Sequence, residues 1–185
     1  MIFHFSHLYV AGHTMDLVIC LVRSSVTSST TQNSSLLRSI KQLLIHAFGR
    51  DPTGARSLAY HAAQIVGKTH GYLVSAPCEI LRIFMGFSFL LAYVAYGRRN
   101  LSGKDTFTPQ GWTYIDSTFA TDEEQATLQK WLQNDGPVAM TISGDIDSQQ
   151  FTQLLRQQAQ DTLRRLGQWG LADQFSRIMS EYELA

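Results

Sequence analysis

The chain has 185 residues, 44% of them apolar, and its fifteen basic residues are matched by fifteen acidic ones. That supplies one hydrophobic core, but zero net charge and no basic cluster larger than the pairs Arg98-Arg99 and Arg164-Arg165 argue against nucleic-acid binding by this chain alone, which rests on phosphate neutralisation. Charged residues make up only 16%, short of the usual quarter, which predicts a surface partly covered by a partner or by further chain.

The N-terminal stretch Met1–His7 lacks the basic start and unbroken apolar run of a signal peptide. Between Phe3 and Val22, Leu8, Met15, Ile19 and Val22 recur at helical spacing, with an interruption at Gly12. Residues 24–35 are nearly all Ser, Thr, Asn and Gln. Such a composition buries too little to offset the cost of ordering, so it predicts a polar loop. Cys20 and Cys78 have apolar neighbours and are expected to be buried free thiols in a reducing compartment.

A helix follows from about Leu36 to Phe48, with Leu37, Ile40, Leu44 and Ala47 on one face and Gly49 closing it. Asp51-Pro52 restarts the chain, because Asp caps helix N-termini and Pro suits the first helical position. The next helix turns Leu58, Ala62, Ile65 and Val66 inward and frays between Gly67 and Gly71. Pro77 opens a long helix in which Leu81, Phe84, Phe87, Leu91 and Val94 form a stripe, and Ile83, Met85, Phe89 and Leu90 leave little polar face. A helix apolar all round belongs in the centre of a fold. Its fourteen uncharged residues from Ile83 to Tyr96 fall short of the roughly 20 that span a bilayer, so this run is read as core and no membrane is expected.

From Asn100 to Thr121 the sequence turns to Gly, Pro, Thr and aromatics, which predicts an irregular connector over 100–121. Thr121-Asp122-Glu123-Glu124 is a capping box opening a helix that packs Leu128, Trp131 and Leu132. Asp147, Gln150 and an Ile146–Phe151 staple open the next, with Leu154, Leu155, Thr162, Leu163 and Leu166 inward. Leu171, Phe175, Ile178 and Tyr182 form a last short helix. The expected fold is therefore all-α, an irregular bundle of about six to seven helices.

The search for chemistry finds no catalytic, cofactor-binding or metal residue to nominate. His4 and His7 are three apart, with His13, Asp16 and Cys20 following, but they match no zinc-ligand pattern. These histidines are read as packing residues, and His61 as a satisfied core histidine. Ser88 lacks the second glycine of a nucleophile elbow. Asp145-Ile146-Asp147 lacks the glycine and terminal Glu of a calcium loop. Glu123 and Glu124 fit complementation of the helix dipole, and Trp112, Trp131 and Trp169 are read as core or interface anchors.

The segment Ala59-Tyr60-His61-Ala62-Ala63-Gln64-Ile65 resembles the histidine-alanine helix of fungal-specific transcription factor domains. So does Val74-Ser75-Ala76-Pro77-Cys78-Glu79-Ile80-Leu81, leading into an aromatic helix that ends Ala95-Tyr96-Gly97. Tyr114-Ile115-Asp116, Trp131, Ile142–Ile146 and Trp169-Gly170-Leu171 continue the similarity in order, over roughly residues 55–183. The resemblance implies the C-terminal portion of one helical regulatory domain, residues 1–185, in a nuclear protein controlling RNA polymerase II transcription. It also implies zinc and DNA binding only in an upstream module, since two cysteines build neither a zinc finger nor a zinc cluster here. On that view the chain is a fragment, a truncated gene model or a diverged copy, incomplete at its N-terminus, whose partners are proteins, the missing helices or a small effector. The alternatives are a helical protein- or small-ligand-binding module, using a pocket around Phe84 to Tyr96, and more remotely an enzyme seeded by His61 and Glu79.

Overall fold

The computed structural model describes residues 2–26, 31–68, 77–97, 121–134, 148–166 and 170–181. Among them every regular element is a helix: α1 (Ile2–Val10), α2 (His13–Val26), α3 (Thr31–Arg50), α4 (Pro52–Lys68), α5 (Pro77–Tyr96), α6 (Asp122–Asn134), α7 (Ser148–Arg165) and α8 (Gly170–Glu181). The fold is all-α, as the periodicity predicts.

These described helices number eight, not six or seven, because the first apolar segment is two helices. At Gly12 the backbone enters the left-handed region, φ 33°, where a Cβ is strained. The flanking helices meet there at 89°, and both apolar faces reach the core, with Leu8, Met15, Val18 and Val22 buried.

The predicted polar loop at 24–35 is corrected at both ends. α2 runs on to Val26 and α3 already begins at Thr31. Once Ile40, Leu44 and Phe48 are docked, extending α3 toward its N-terminus adds one hydrogen bond per ordered residue. Ser and Asn oppose this by only about 0.5 kcal/mol each relative to Ala. Ser39 Oγ also donates back to Ser35 O at 3.1 Å. At its other end α3 passes Gly49 and stops at Arg50. Asp51 then caps α4 as expected, its Oδ1 accepting from Gly54 N at 2.8 Å.

The cysteines are also corrected, for both are exposed. On α2 the core face is Leu17, Val18, Leu21 and Val22, which turns Cys20 outward. Cys78 itself is exposed, two residues before the buried Ile80 near the start of α5. Both thiols are therefore expected to react with a small disulfide reagent in the native protein. Titration without denaturant checks this, and protection of either thiol until unfolding would contradict it.

α5 is the centre, packed by α1, α2, α3, α4, α7 and α8. Its segment Cys78–Tyr96 is long and apolar enough to cross a membrane by length and composition, but 67% of the most apolar stretch is buried inside the fold. Phe48 of α3 meets Phe89 and Tyr93 edge-on at 5.9 and 5.8 Å. Phe84 stacks on Phe175 of α8 at 4.0 Å. The expected stripe is wrong at Leu81, which is exposed, as are Leu154 and Leu171. In α8 the small residues Ala172 and Ser176 are buried, with Met179, while Phe175 and Ile178 are only partly so. Small side chains let neighbouring helices approach closely, so the contact stripe need not follow the largest apolar residues.

α6 starts after Thr121, whose carbonyl accepts from Gln125 N at 2.9 Å, and it buries Leu128 and Trp131. Its C-terminal end is held by Arg56 of α4. The buried guanidinium donates from Nε to Leu132 O at 2.9 Å and from Nη2 to Gln133 O at 3.2 Å. A cation at a helix C-terminus is favoured by the dipole, and the planar fork serves two carbonyls at once. Arg56→Met is expected to lose about 2 kcal/mol, with the carbonyls stripped of these donors. The check is a denaturant titration followed by tryptophan emission, and an unchanged midpoint would show that α6 docks without the clamp.

The connector at 100–120, including Trp112–Ile115, lies outside the described residues, as do Asp145–Asp147 with the Ile146 staple, Trp169 and Tyr182.

Candidate functional site

The most distinctive polar grouping among the described residues lies between α1 and α4. His4 and Leu8 are four residues apart and both buried, marking the inner face of α1. On α4, the run His61, Ala62, Ala63, Gln64 and Ile65 is buried throughout. Packing α1 onto α4 brings His4 Nδ1 to 2.9 Å from His61 Nδ1. His7, one turn on from His4, lays its ring flat on His61, 3.9 Å between centroids and 8° between planes. Tyr60 stands edge-on to both His4 and His61, at 6.2 and 5.3 Å.

Burial, and after it like-charge repulsion from His7 and His4, lowers the pKa of His61 from 6.5 to about 4 and keeps the ring neutral. The Nδ1–Nδ1 contact requires one ring to donate and the other to accept. A base that weak is unprotonated near neutral pH but has too little proton affinity to serve well in general base catalysis. The geometry also opposes shared metal binding. Stacked rings carry their lone pairs in parallel planes, so His7 and His61 do not converge, while the His4 and His61 Nδ1 atoms face each other. The remaining histidine-rich positions stay apart: His13, Asp16 and Cys20 are exposed on α2, beyond the bend at Gly12. No group of three or more His, Cys, Asp or Glu among the described residues is placed to hold a metal ion. Ser88 is buried within α5, its Oγ donating to Phe84 O at 2.8 Å, and Glu79 is half-buried near the start of the same helix.

Beside the histidines lies a cavity of about 320 Å³, lined among others by His7 and Val10 of α1, Thr14 of α2, Phe48 of α3, and Asp51 and Leu58 around the start of α4. This volume is at the lower end of small-molecule sites. It is not where a pocket was expected. From Phe84 to Leu91 every side chain is buried against neighbours in the core, and the cavity is instead where α1, α3 and α4 fail to close.

Sequence reasoning found the His4–His7 spacing and the burial of His61, but did not join them. The usable signal was the i, i+4 pairing of His4 with Leu8, which puts a histidine on a buried face where it must find a polar partner. No family model, curated protein or solved structure matches this chain.

Proposed function

We propose that this chain is the regulatory, non-DNA-contacting domain of a transcription factor of the fungal-specific kind, acting in the nucleus on RNA polymerase II transcription through protein partners or a small effector. One observation supports the reading most. Two of the segments that carry the resemblance, 59–65 and 74–97, contribute to α4 and α5, the most extensively packed helix pair among the described residues. A likeness there is a likeness in the part of the sequence under the tightest packing demands, not in a solvated surface. Zinc and DNA binding belong, on this reading, to a separate module and to no residue of this chain.

The test has two parts. Sequencing the full transcript upstream of the Met1 codon is expected to reveal an in-frame Cys- and His-rich extension. Fusing the 185-residue chain to an unrelated DNA-binding module is expected to change output from a matched reporter relative to the module alone. A stop codon immediately upstream, together with a folded nuclear fusion that leaves the reporter unchanged, would count against the proposal.

The cavity beside His7 favours a second reading, a helical ligand-binding module unconnected with transcription. Its signature is a small molecule that raises the melting temperature, and loses that effect when Ala47→Phe fills the space, with no effect on any reporter.

A further inference from the structure

We propose that His4, His7 and His61 form an acid-sensitive latch that holds α1 on α4, with Gly12 as the hinge on which α1 swings when the latch opens. The argument begins with proton counting. Two imidazole Nδ1 atoms at 2.9 Å share a hydrogen bond only while one of them lacks a proton. The pair accepts one added proton, on whichever ring already donates. A second turns the acceptor into a donor and sets N–H against N–H. The doubly charged state is further opposed because both rings are buried and His7 lies flat against His61, where a third positive charge would repel both.

The surroundings are consistent with this. α5, which also packs on α1, brings Glu79 and Arg82, opposite charges three residues apart that cancel to first order, and Arg82 sits over the Phe5 ring at 5.4 Å. α6 brings Lys130 with Asp122 and Glu123 in its first turn, and α3 brings His46 and Arg50 near its end. The like-charge effect on His61 comes from His7 and His4, and together with burial, the larger cause, it lowers the pKa to about 4.

The hinge is a separate observation. Gly12 holds φ at 33° and a Cβ there would meet only Val10 O, at 3.9 Å, so the position is conformationally special without being packed. Motion of α1 about it would carry His7, Val10 and Ala11 out of the cavity wall. The latch therefore governs access to the cavity, whatever occupies it, and does not rest on the transcriptional reading.

Hydrogen exchange on the full chain tests this. Between about pH 7.5 and about pH 4.5, protection factors in α1, corrected for intrinsic rates, are expected to fall at least about tenfold while those in α5 hold. His61→Asn and His4→Asn each replace one imidazole with an amide that accepts or donates without titrating, and both are expected to remove most of that fall. Retention of α1 protection at the lower pH in the parent chain would overturn the latch. So would an equal loss in both variants, provided circular dichroism shows each folded at the higher pH.

Discussion

Replacing Gly86 by leucine is expected to destabilise the protein by about 3 kcal/mol or more, near the upper limit of overpacking effects in cores. Gly86 sits in α5 where that helix crosses α4. A Cβ built there lies 3.2 Å from Ile65 Cγ2 and 3.4 Å from both Ala62 O and Ile65 Cβ. Ile65 and Ala62 are completely buried, so neither can give way toward solvent. Ala59 and Ala63 are also buried on α4, within about one turn of Ala62, and such small residues let two helix backbones approach closely. A leucine adds three further carbons beyond the Cβ and forces the helices apart along their whole contact, not at one residue. Gly86→Ala is expected to stay within about 1 kcal/mol of the parent, since the gain in helix propensity offsets the single tight contact. Urea midpoints measure both, and a leucine variant with the parent's midpoint would mean that α4 and α5 do not cross at Gly86.

The same crossing shows which features the sequence made legible. A run apolar on all sides, from Ile83 to Tyr96, has only one place in a helical fold, and α5 is there. The Asp51-Pro52 cap and the Thr121 start are local signals, resolved by hydrogen bonds within four residues, and both are found. Gly12 was visible as an interruption, but no residue near it specified a right-angle bend. Leu81, Leu154 and Leu171 fit helical stripes and still face solvent, because a stripe on a wheel says which residues could be buried together, not which neighbour arrives. The histidine site is the clearest case. His4 and His61 are 57 residues apart, and their meeting depends on α1 folding back at Gly12 onto α4, a tertiary fact with no local code. Residues 24–35 failed for a related reason: composition describes an isolated segment, whereas α3 was extended by a docked helix already in place.

Acid is expected to weaken the parent chain by about 2 to 3 kcal/mol more than it weakens His61→Asn, comparing denaturant titrations at about pH 7.5 and about pH 4.5. The sign follows from where the proton binds more tightly. In the unfolded chain His61 has its ordinary pKa of 6.5, and in the folded chain about 4. Between those values the unfolded state takes up the proton that the folded state refuses. The stability associated with neutral His61 is thus complete above pH 6.5, declines as the pH falls below it, and is gone below about pH 4. Carboxylates begin to titrate at the lower end of this window, so the informative quantity is the difference between parent and variant. The latch adds a limit to that difference. If α1 leaves α4 before the rest of the fold opens, the acid penalty cannot exceed the free energy that docks α1, and it levels off above pH 4. A difference that grows all the way to pH 4 would mean that α1 stays in place and the whole fold bears the cost of a buried charge. A plateau reached near pH 5, accompanied by early exchange in α1, would mark the helix as a separately releasable unit.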